Sequence, residues 1–559
     1  MVIAASSGAA LRPTITGTRQ MVASGHYLAT LAGHAMLEAG GNAVDAGCAA
    51  GIALGVLQSD IVNVAGVAPI LVRMADSAEV ISIAGLGWWP AALDPAVFVN
   101  RHGGKLPIGV LRTVVPSAPD AWLTALSRFG TMRFADIVEP AIRYARDGFH
   151  MHALMAQTLR EKAVDYGRWE STSSIYLPGG NPPDTGDLFI QSDLAATLQY
   201  MADEERAAGG DLRTGYEAAR SAFYLGDIAR KIVDHQQANG GLLAMEDLAA
   251  YRSEVGRTVE RRFGAYSVHT CDAWCQGPTL LQALKMVEHS GLKDLPRNGA
   301  DYIHLLTEIL KIAFRDRERF YGDPRFVDVP LQTLLSDKYA AECIAGIDPG
   351  KAADAGRANP VPEPSTEPDT SYVSVADRWG NTFSATPSDG SWHAPVVPGT
   401  GLVPSCRGTQ SRLDPDHPAG LAPGKRPRLT PSPALAVADD GSVIAFGTPG
   451  GDVQIQAMVQ VFLNLSLFSM DLQAAIEAPR FATYSFPSSF YPYEDRPQLL
   501  KLESRLDPGL DDDLLSRGHK VERWPDYSWL AGGVCAVVSG KAGYFGGADP
   551  RRPSYAIGW

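Results

Sequence analysis

The stretch Asp348 to Asp369, DPGKAADAGRANPVPEPSTEPD, is rich in Pro, Ala, Asp and Glu, holds no aromatic residue and stops abruptly at Thr370. A segment of that composition buries too little apolar surface to offset the entropy of ordering it, so it reads as a mobile loop or linker over about 348–369. No packed core can run through it. The chain is thereby divided into a longer part before the linker and a shorter part after it. The shorter part opens with a β-rich run, Thr370 to Asp377, and the turn Asp377-Arg378-Trp379-Gly380-Asn381 leads into a second run, Thr382 to Thr386, predicting a hairpin.

The rest of the pattern is mixed. Small and apolar residues at helical spacing from Ala23 to Leu57, interrupted by Gly40-Gly41-Asn42, predict two closely packed helices. Residues from Asp120 to about Lys231 read as helices, Gly264 to Thr270 as a strand, and Ala300 to Tyr321 as a long amphipathic helix. Two more strand pairs are expected, Ala434 to Ala438 with Val443 to Phe446 and Gly533 to Ser539 with Gly543 to Phe545, with helices at Val453 to Leu467 and Asp471 to Ala478 between them. Strands and helices without regular βα alternation predict an α+β layered sandwich over a doubly wound sheet.

Composition excludes several classes. Of 559 residues 45% are apolar and 20% charged, so most of the chain can bury a core, and a net charge of -13 offers no footprint for nucleic acid or an anionic membrane. Met1 to Leu11 lacks a basic n-region and a long apolar core, and no apolar run reaches the ~20 residues of a spanning helix, so a soluble, cytoplasmic protein is expected. Six cysteines are sparse for this length, and Cys271 with Cys275 has no second pair to complete a zinc site, so reduced, mostly packed thiols are expected.

A Thr at a strand start behind a loop is ordinary on its own. Three further residues give it chemical meaning: Ser388 meets the start of the first strand if the hairpin pairs in simple register, and Gly450-Gly451, between a strand and a helix, can present backbone N–H groups to an oxyanion. A hydroxyl nucleophile with an amide cradle is the minimum for acyl transfer, and no His-Asp pair is required if the nucleophile's own α-amine is the base.

The chain resembles the gamma-glutamyltranspeptidase family of N-terminal-nucleophile hydrolases over nearly its whole length. The resemblance is carried by Gly40 to Ala46, Phe129 to Met132, Ala145 to Phe149, Glu246 to Tyr251, Tyr321 to Pro324, Thr370 to Asp377 with Gly380-Asn381, Gly424 to Pro427, Pro449 to Gly451, Ala478 to Phe481 and Asp549 to Arg551. It implies a four-layer αββα sandwich and a precursor that cleaves itself at Asp369-Thr370. The large piece, 1–369, and the small piece, 370–559, would remain one unit. It further implies Thr370 as nucleophile, Ser388 as the hydroxyl that orients it, Gly450 and Gly451 as the oxyanion hole, and no cofactor or metal.

The pocket departs from the resemblance. The arginine that grips a γ-glutamyl α-carboxylate falls at Leu86, the aspartate for its α-ammonium falls near Gln410, a glutamine before it becomes Arg407, and one serine of the carboxylate cradle falls at Leu429 beside Thr430. A buried charge without its partner costs several kcal/mol, so glutathione should be rejected. Trp88, Trp89, Trp379 and Trp392 lie near the site in sequence, with core packing and pocket lining both open; Arg407 reads equally as a substrate-facing cation or a structural ion pair, and His393 as an incidental loop histidine or an acid-base group. The eroded stretch Ala65-Gly66-Val67-Ala68-Pro69, glycine-rich in the family, predicts altered geometry beneath the site.

The leading expectation is a self-processing amidohydrolase or acyltransferase acting on a small-molecule, non-γ-glutamyl amide, as in the family's oxamate-type branch. The alternatives are a γ-glutamyltransferase or glutathione hydrolase, a hydrolase of a C–C bond next to a carbonyl, and an uncleaved binding protein. Its expected partners are its own two pieces and the substrate, with no nucleic acid and no membrane; homo-oligomerisation is left open.

Overall fold

The computed structural model describes residues 10–77, 79–353 and 369–559. Residues 1–9, where a leader was sought, and most of the predicted linker, 354–368, lie outside the described residues.

Two seven-stranded antiparallel sheets dominate. One runs Tyr555–Gly558, Met21–Ser24, Val373–Ala376, Thr382–Ala385, Ile70–Arg73, Val80–Ile83 and Val255–Arg257; the other runs Ile15–Gly17, Gly543–Ala548, Cys535–Gly540, Val443–Gly447, Ala434–Ala438, Tyr266–Thr270 and Val259–Phe263. The hairpin that follows the linker is thus central, flanked on both sides. Its register pairs Val373 with Ala385 and Ala376 with Thr382. Side chains alternate along it as a pleated strand requires: Val373, Val375, Phe383 and Ala385 join the apolar cluster of the helices, while Tyr372 and Ala376 join Cys535 and Val537 of the facing sheet. The Tyr372 hydroxyl bonds Ser384 Oγ at 2.6 Å, and Ser384 Oγ donates to the Ala434 carbonyl at 3.2 Å, stitching the sheets together.

Against the hairpin's other face lies the helix Ala43–Leu57, all of whose 15 residues are buried. Its start is fixed by a capping box, in which Asn42 accepts from the Val44 and Asp45 amides and Asp45 accepts from the Asn42 amide. Small residues are required along it: a Cβ on Gly47 would fall 2.2 Å from the Phe383 ring, and one on Gly33 of the neighbouring helix Tyr27–Glu38 would fall 2.9 Å from the Ala46 carbonyl. Asp377 ties the hairpin turn to this helix, accepting from the Trp379 and Asn381 amides with Oδ1 and from the Ala43 amide with Oδ2. The helices Gly277–Glu288, Ala300–Phe320 and Val453–Ser466 build a second apolar cluster with Ala434, Ala436, Ile444 and Phe446 of the other sheet.

The described residues at the two ends of the predicted linker are packed on the body. Residues 348–353 are packed on the helix Ala300–Phe320: His304 bonds the Asp348 carbonyl at 2.9 Å, and the Ala353 amide donates to Glu308 at 3.1 Å. Asp369, at the far end, is buried. Polar partners on the body override local composition at both ends. No described helix is long and apolar enough to cross a membrane.

Candidate active site

The hairpin register, continued past Val373 and Ala385, sets Thr370 opposite Ser388. The Ser371 amide donates to the Pro387 carbonyl at 3.0 Å, Ser388 exchanges backbone bonds with Val67, and the Thr370 amide donates to the Ile61 carbonyl at 3.0 Å. Thr370 and Ser388 are both fully buried, and their hydroxyls lie 2.6 Å apart. Thr370 has a φ of 99°, a region that a β-branched residue enters only under strain. Gly66, kept in the eroded glycine stretch, is where the Ser388 backbone presses closest: a Cβ there would lie 2.4 Å from the Ser388 carbonyl oxygen.

Arg407 completes the cluster from the short 3₁₀ turn Arg407–Gln410. Its guanidinium donates both to Asp369 Oδ2 and to Ser388 Oγ, while Asp369 Oδ1 accepts from Thr370 Oγ1 at 3.1 Å. Asp389 stands behind it, with Oδ2 3.6 Å from Arg407 Nε, and is held by Ser405 Oγ at 2.6 Å and the Cys406 amide at 3.2 Å. Burial raises the Asp389 carboxyl despite the opposing pull of Arg407. Trp89 lies beneath this turn, fully buried, its indole donating to Ser411 Oγ at 2.9 Å, with its ring 2.5 Å from where a Cβ on Gly408 would be. It is a packing residue.

Gln410 pairs with Thr430, donating to Oγ1 at 2.7 Å and accepting from the Thr430 amide at 3.2 Å. Gly450 and Gly451 turn with φ of 125° and 57° between Val443–Gly447 and Val453–Ser466. Among the described residues, neither glycine's N–H has a hydrogen-bond partner. Gln276 braces both regions, donating to the Thr430 carbonyl at 2.8 Å and the Gly451 carbonyl at 3.0 Å, and is itself held by Arg317 at 2.9 Å.

Leu86 and Leu429 meet in one apolar cluster with Cys271, Trp274 and Cys275. Trp88 lies against Tyr251 at 4.9 Å, with Arg325 over its ring, and is not part of the Thr370 cluster. Trp379 corrects the sequence reading: it is 50% exposed at the hairpin turn, the opposite end from Thr370, because the strand carries it away from the site. Trp392 is buried edge-on to Tyr166, and His393 packs on it and contacts Arg112 at 3.3 Å.

Sequence reasoning missed Gln276, Asp369 as a partner of Arg407, and Asp60. Asp60 is fully buried beside Ile61, neither carboxylate oxygen has a hydrogen-bond partner in good geometry, and burial pushes its carboxyl up to about 6 against the pull of Thr158 and Arg552. A buried acid one residue before the carbonyl that holds the Thr370 amide carries no local sequence signal. Among the described residues, His304, Glu308 and His519 form a group of metal-ligand type. The two histidines bond each other at 2.9 Å and Lys311 holds Glu308 at 2.8 Å, so the cluster is already satisfied, with a cation in place.

Paired antiparallel sheets thus set Thr370, just ahead of a central strand, against a second buried hydroxyl, Ser388. The gamma-glutamyltranspeptidase family model matches residues 29–559, and the chain belongs to that family, as a hydrolase of amide C–N bonds. It is 33% identical over 95% of its length to the acylase ACY 1 proenzyme of Pseudomonas sp. (strain V22), covering 92% of that protein. It is 29% identical over 97% of its length to the oxamate amidohydrolase proenzyme of Klebsiella pneumoniae, covering 99% of it. The crystal structure of cephalosporin acylase from Bacillus halodurans superposes with a TM-score of 0.84 at 28% identity, covering 99% of this chain and 98% of that one.

Proposed function

We propose that the chain is the precursor of an N-terminal-threonine amidohydrolase that cleaves its own Asp369-Thr370 bond, giving pieces 1–369 and 370–559 that stay together as a four-layer αββα sandwich. The observation that carries the reading is the 2.6 Å contact between Thr370 Oγ1 and Ser388 Oγ on a residue held at a φ of 99°. Such a backbone costs about 1–3 kcal/mol. Cutting the bond before Thr370 abolishes the constraint, because the rotation is defined by the preceding carbonyl.

In the mature form the Thr370 α-amine, with a pKa near ~7.7–8.0, takes the hydroxyl proton as Oγ1 attacks the substrate's carbonyl carbon. The N–H groups of Gly450 and Gly451 receive the oxyanion, and Gln276 fixes the turn that presents them. The amine product leaves with the proton. Water then attacks the Thr370 ester, the same amine serving as base, and releases the acid. Ser388, held by Arg407, orients the hydroxyl.

The substrate is an amide outside the γ-glutamyl class. Arg407 supplies a cation two hydrogen bonds from Thr370 Oγ1, whereas Leu86 and Leu429 pack together in an apolar cluster. The acylase and oxamate amidohydrolase relatives support this reading. Intact-mass measurement tests it: the wild type should give two chains summing to the 59.7 kDa precursor plus one water, and Thr370→Ala a single uncut chain. Two chains from Thr370→Ala would sink the assignment.

A further inference from the structure

The Asp369 side chain is gripped at both oxygens. Oδ1 accepts from Thr370 Oγ1 at 3.1 Å, Oδ2 accepts from Arg407, and Arg407 also donates to Ser388 Oγ. Asp369 and Arg407 are each 1% exposed, so the pair is sealed from water. The acyl group of the scissile bond is therefore an aspartyl group. Its carboxylate carbon is separated from the carbonyl carbon by Cα and Cβ, and it sits on a guanidinium beside the hydroxyl that attacks that carbonyl.

We propose that this is the substrate's own seat: in the precursor Asp369 fills the place on Arg407 that the carboxylate of a short dicarboxylic monoamide, of succinamate length, takes in the mature enzyme. The inference rests on the self-cleavage reading above. It adds a substrate class and explains why the precursor is shut: the seat is plugged by the residue that is cut off.

Cleavage itself loosens the plug. Thr370 Oγ1 bonds to the Asp369 carbonyl carbon, the C–N bond breaks, and the nitrogen keeps the hydroxyl's proton. Water then hydrolyses the ester. Thr370 is left with its hydroxyl and a free amine, and Asp369 with an α-carboxylate in addition to its side chain. Asp389 already stands 3.6 Å from Arg407. The acid's proton is taken first by the Thr370 amine, and once that amine is neutral again and ready to act as base, a second negative charge on Asp369 in this sealed place is repelled by Asp389 and costs desolvation that one guanidinium does not offset. Asp369 therefore leaves, and a ligand with a single carboxylate restores the precursor's charge count. A longer acyl chain seated on Arg407 would carry its amide carbonyl past Thr370 Oγ1, and a neutral acyl group would leave the seat without an anion.

The test uses the full chain in three forms. Wild type, verified as cut by intact mass, is titrated calorimetrically with succinate, as are uncut Thr370→Ala and the uncut double variant Asp369→Gly/Thr370→Ala. The cut enzyme should bind succinate at least 10²-fold more tightly than Thr370→Ala, and the double variant should recover binding because the plug is gone. In the cut enzyme, succinamate should be hydrolysed at least 10²-fold better in kcat/KM than butanamide, which has the same carbon skeleton without the carboxylate. If the wild type is not cut at Asp369-Thr370, the self-cleavage reading fails. If it is cut but Thr370→Ala binds succinate as well as the cut enzyme, or butanamide matches succinamate, the seat proposal alone is overturned.

Discussion

Two buried arginine clusters in this molecule use the same chemistry toward different ends. Arg551 donates to Glu503 at 2.8 and 2.6 Å and to Asp549 at 3.0 Å, and Arg480 donates to Asp549 at 2.6 Å and to the Ala531 carbonyl at 3.0 Å. All four residues come from the strands and turns after residue 470, so their partners are permanent. Burial pushes the Asp549 carboxyl up, but Arg480 and Arg551 outweigh it and hold it below the usual range. Arg407 is as deeply buried, yet one of its carboxylates belongs to Asp369, on the far side of the proposed cut. Permanence of the partner separates a structural guanidinium from one that can be handed to a ligand.

The largest effect should come from breaking the permanent cluster. Asp549→Asn takes the carboxylate partner from buried Arg480 and one of two from Arg551, and should lower stability by about 3–5 kcal/mol, measured by urea unfolding of the Thr370→Ala chain, so that cleavage does not complicate the transition. A loss below ~1 kcal/mol would erase the contrast with Arg407. The sign with pH follows from the depressed Asp549 carboxyl: its contribution is present above the unfolded-state value and is lost as pH falls through the folded one.

A comparable effect is expected in specificity. With Leu86 and Leu429 in an apolar cluster, glutathione and γ-glutamyl anilides lack partners worth ~3–5 kcal/mol, and their kcat/KM should fall roughly 10²- to 10³-fold or more below that of a good non-γ-glutamyl amide. Ordinary transpeptidase rates with these compounds would refute the pocket reading.

Arg407→Lys sharpens the contrast from the other side. Lysine keeps the charge but loses the planar guanidinium, whose Nη2 reaches both Asp369 and Ser388 while its Nε faces Asp389. Once cut, the variant should lose about 1.5–3 kcal/mol in kcat/KM on the true substrate. Unchanged kinetics would make Arg407 as structural as Arg551.

The smallest effect concerns Asp60, whose carboxyl is pushed up to about 6 by burial. The folded state holds its proton more tightly than the unfolded chain, so this group lowers stability as pH rises from about 4 to about 6, by up to about 3 kcal/mol. Asp60→Asn should stabilise the protein by roughly 1 kcal/mol at pH 8 and have little effect at pH 4, since an unpartnered amide returns part of the gain. Equal effects at both pH values would show that Asp60 is not the titrating group.

Much of the scaffold of the site was legible. The period-2 run after Thr370 and the Asp377 turn sufficed to place the hairpin, and the register implied by a short turn sufficed to set Ser388 opposite Thr370. The close helix pair followed from its small residues, and the Gly450-Gly451 turn from its place between strand and helix. Residues 348–353 and Asp369 depart from their composition because they find polar partners on the body that composition alone does not contain. Trp379 was drawn to the site by proximity in sequence, although one strand is enough to carry it to the other end of the hairpin.

The sequence by itself determined where strands and helices lie, because a repeat of 2 or 3.6 residues is imposed by backbone geometry and is written locally. It also determined which hydroxyl stands just ahead of the hairpin's first strand. Only the tertiary structure decided which buried charge meets which: Arg407 with Asp369 and not a surface acid, Gln276 with Gly451 and Thr430, Asp60 beside the carbonyl that holds Thr370. Those choices join residues dozens to hundreds of positions apart. They are governed by desolvation and geometry at the meeting point, and neither has a period that a sequence can display.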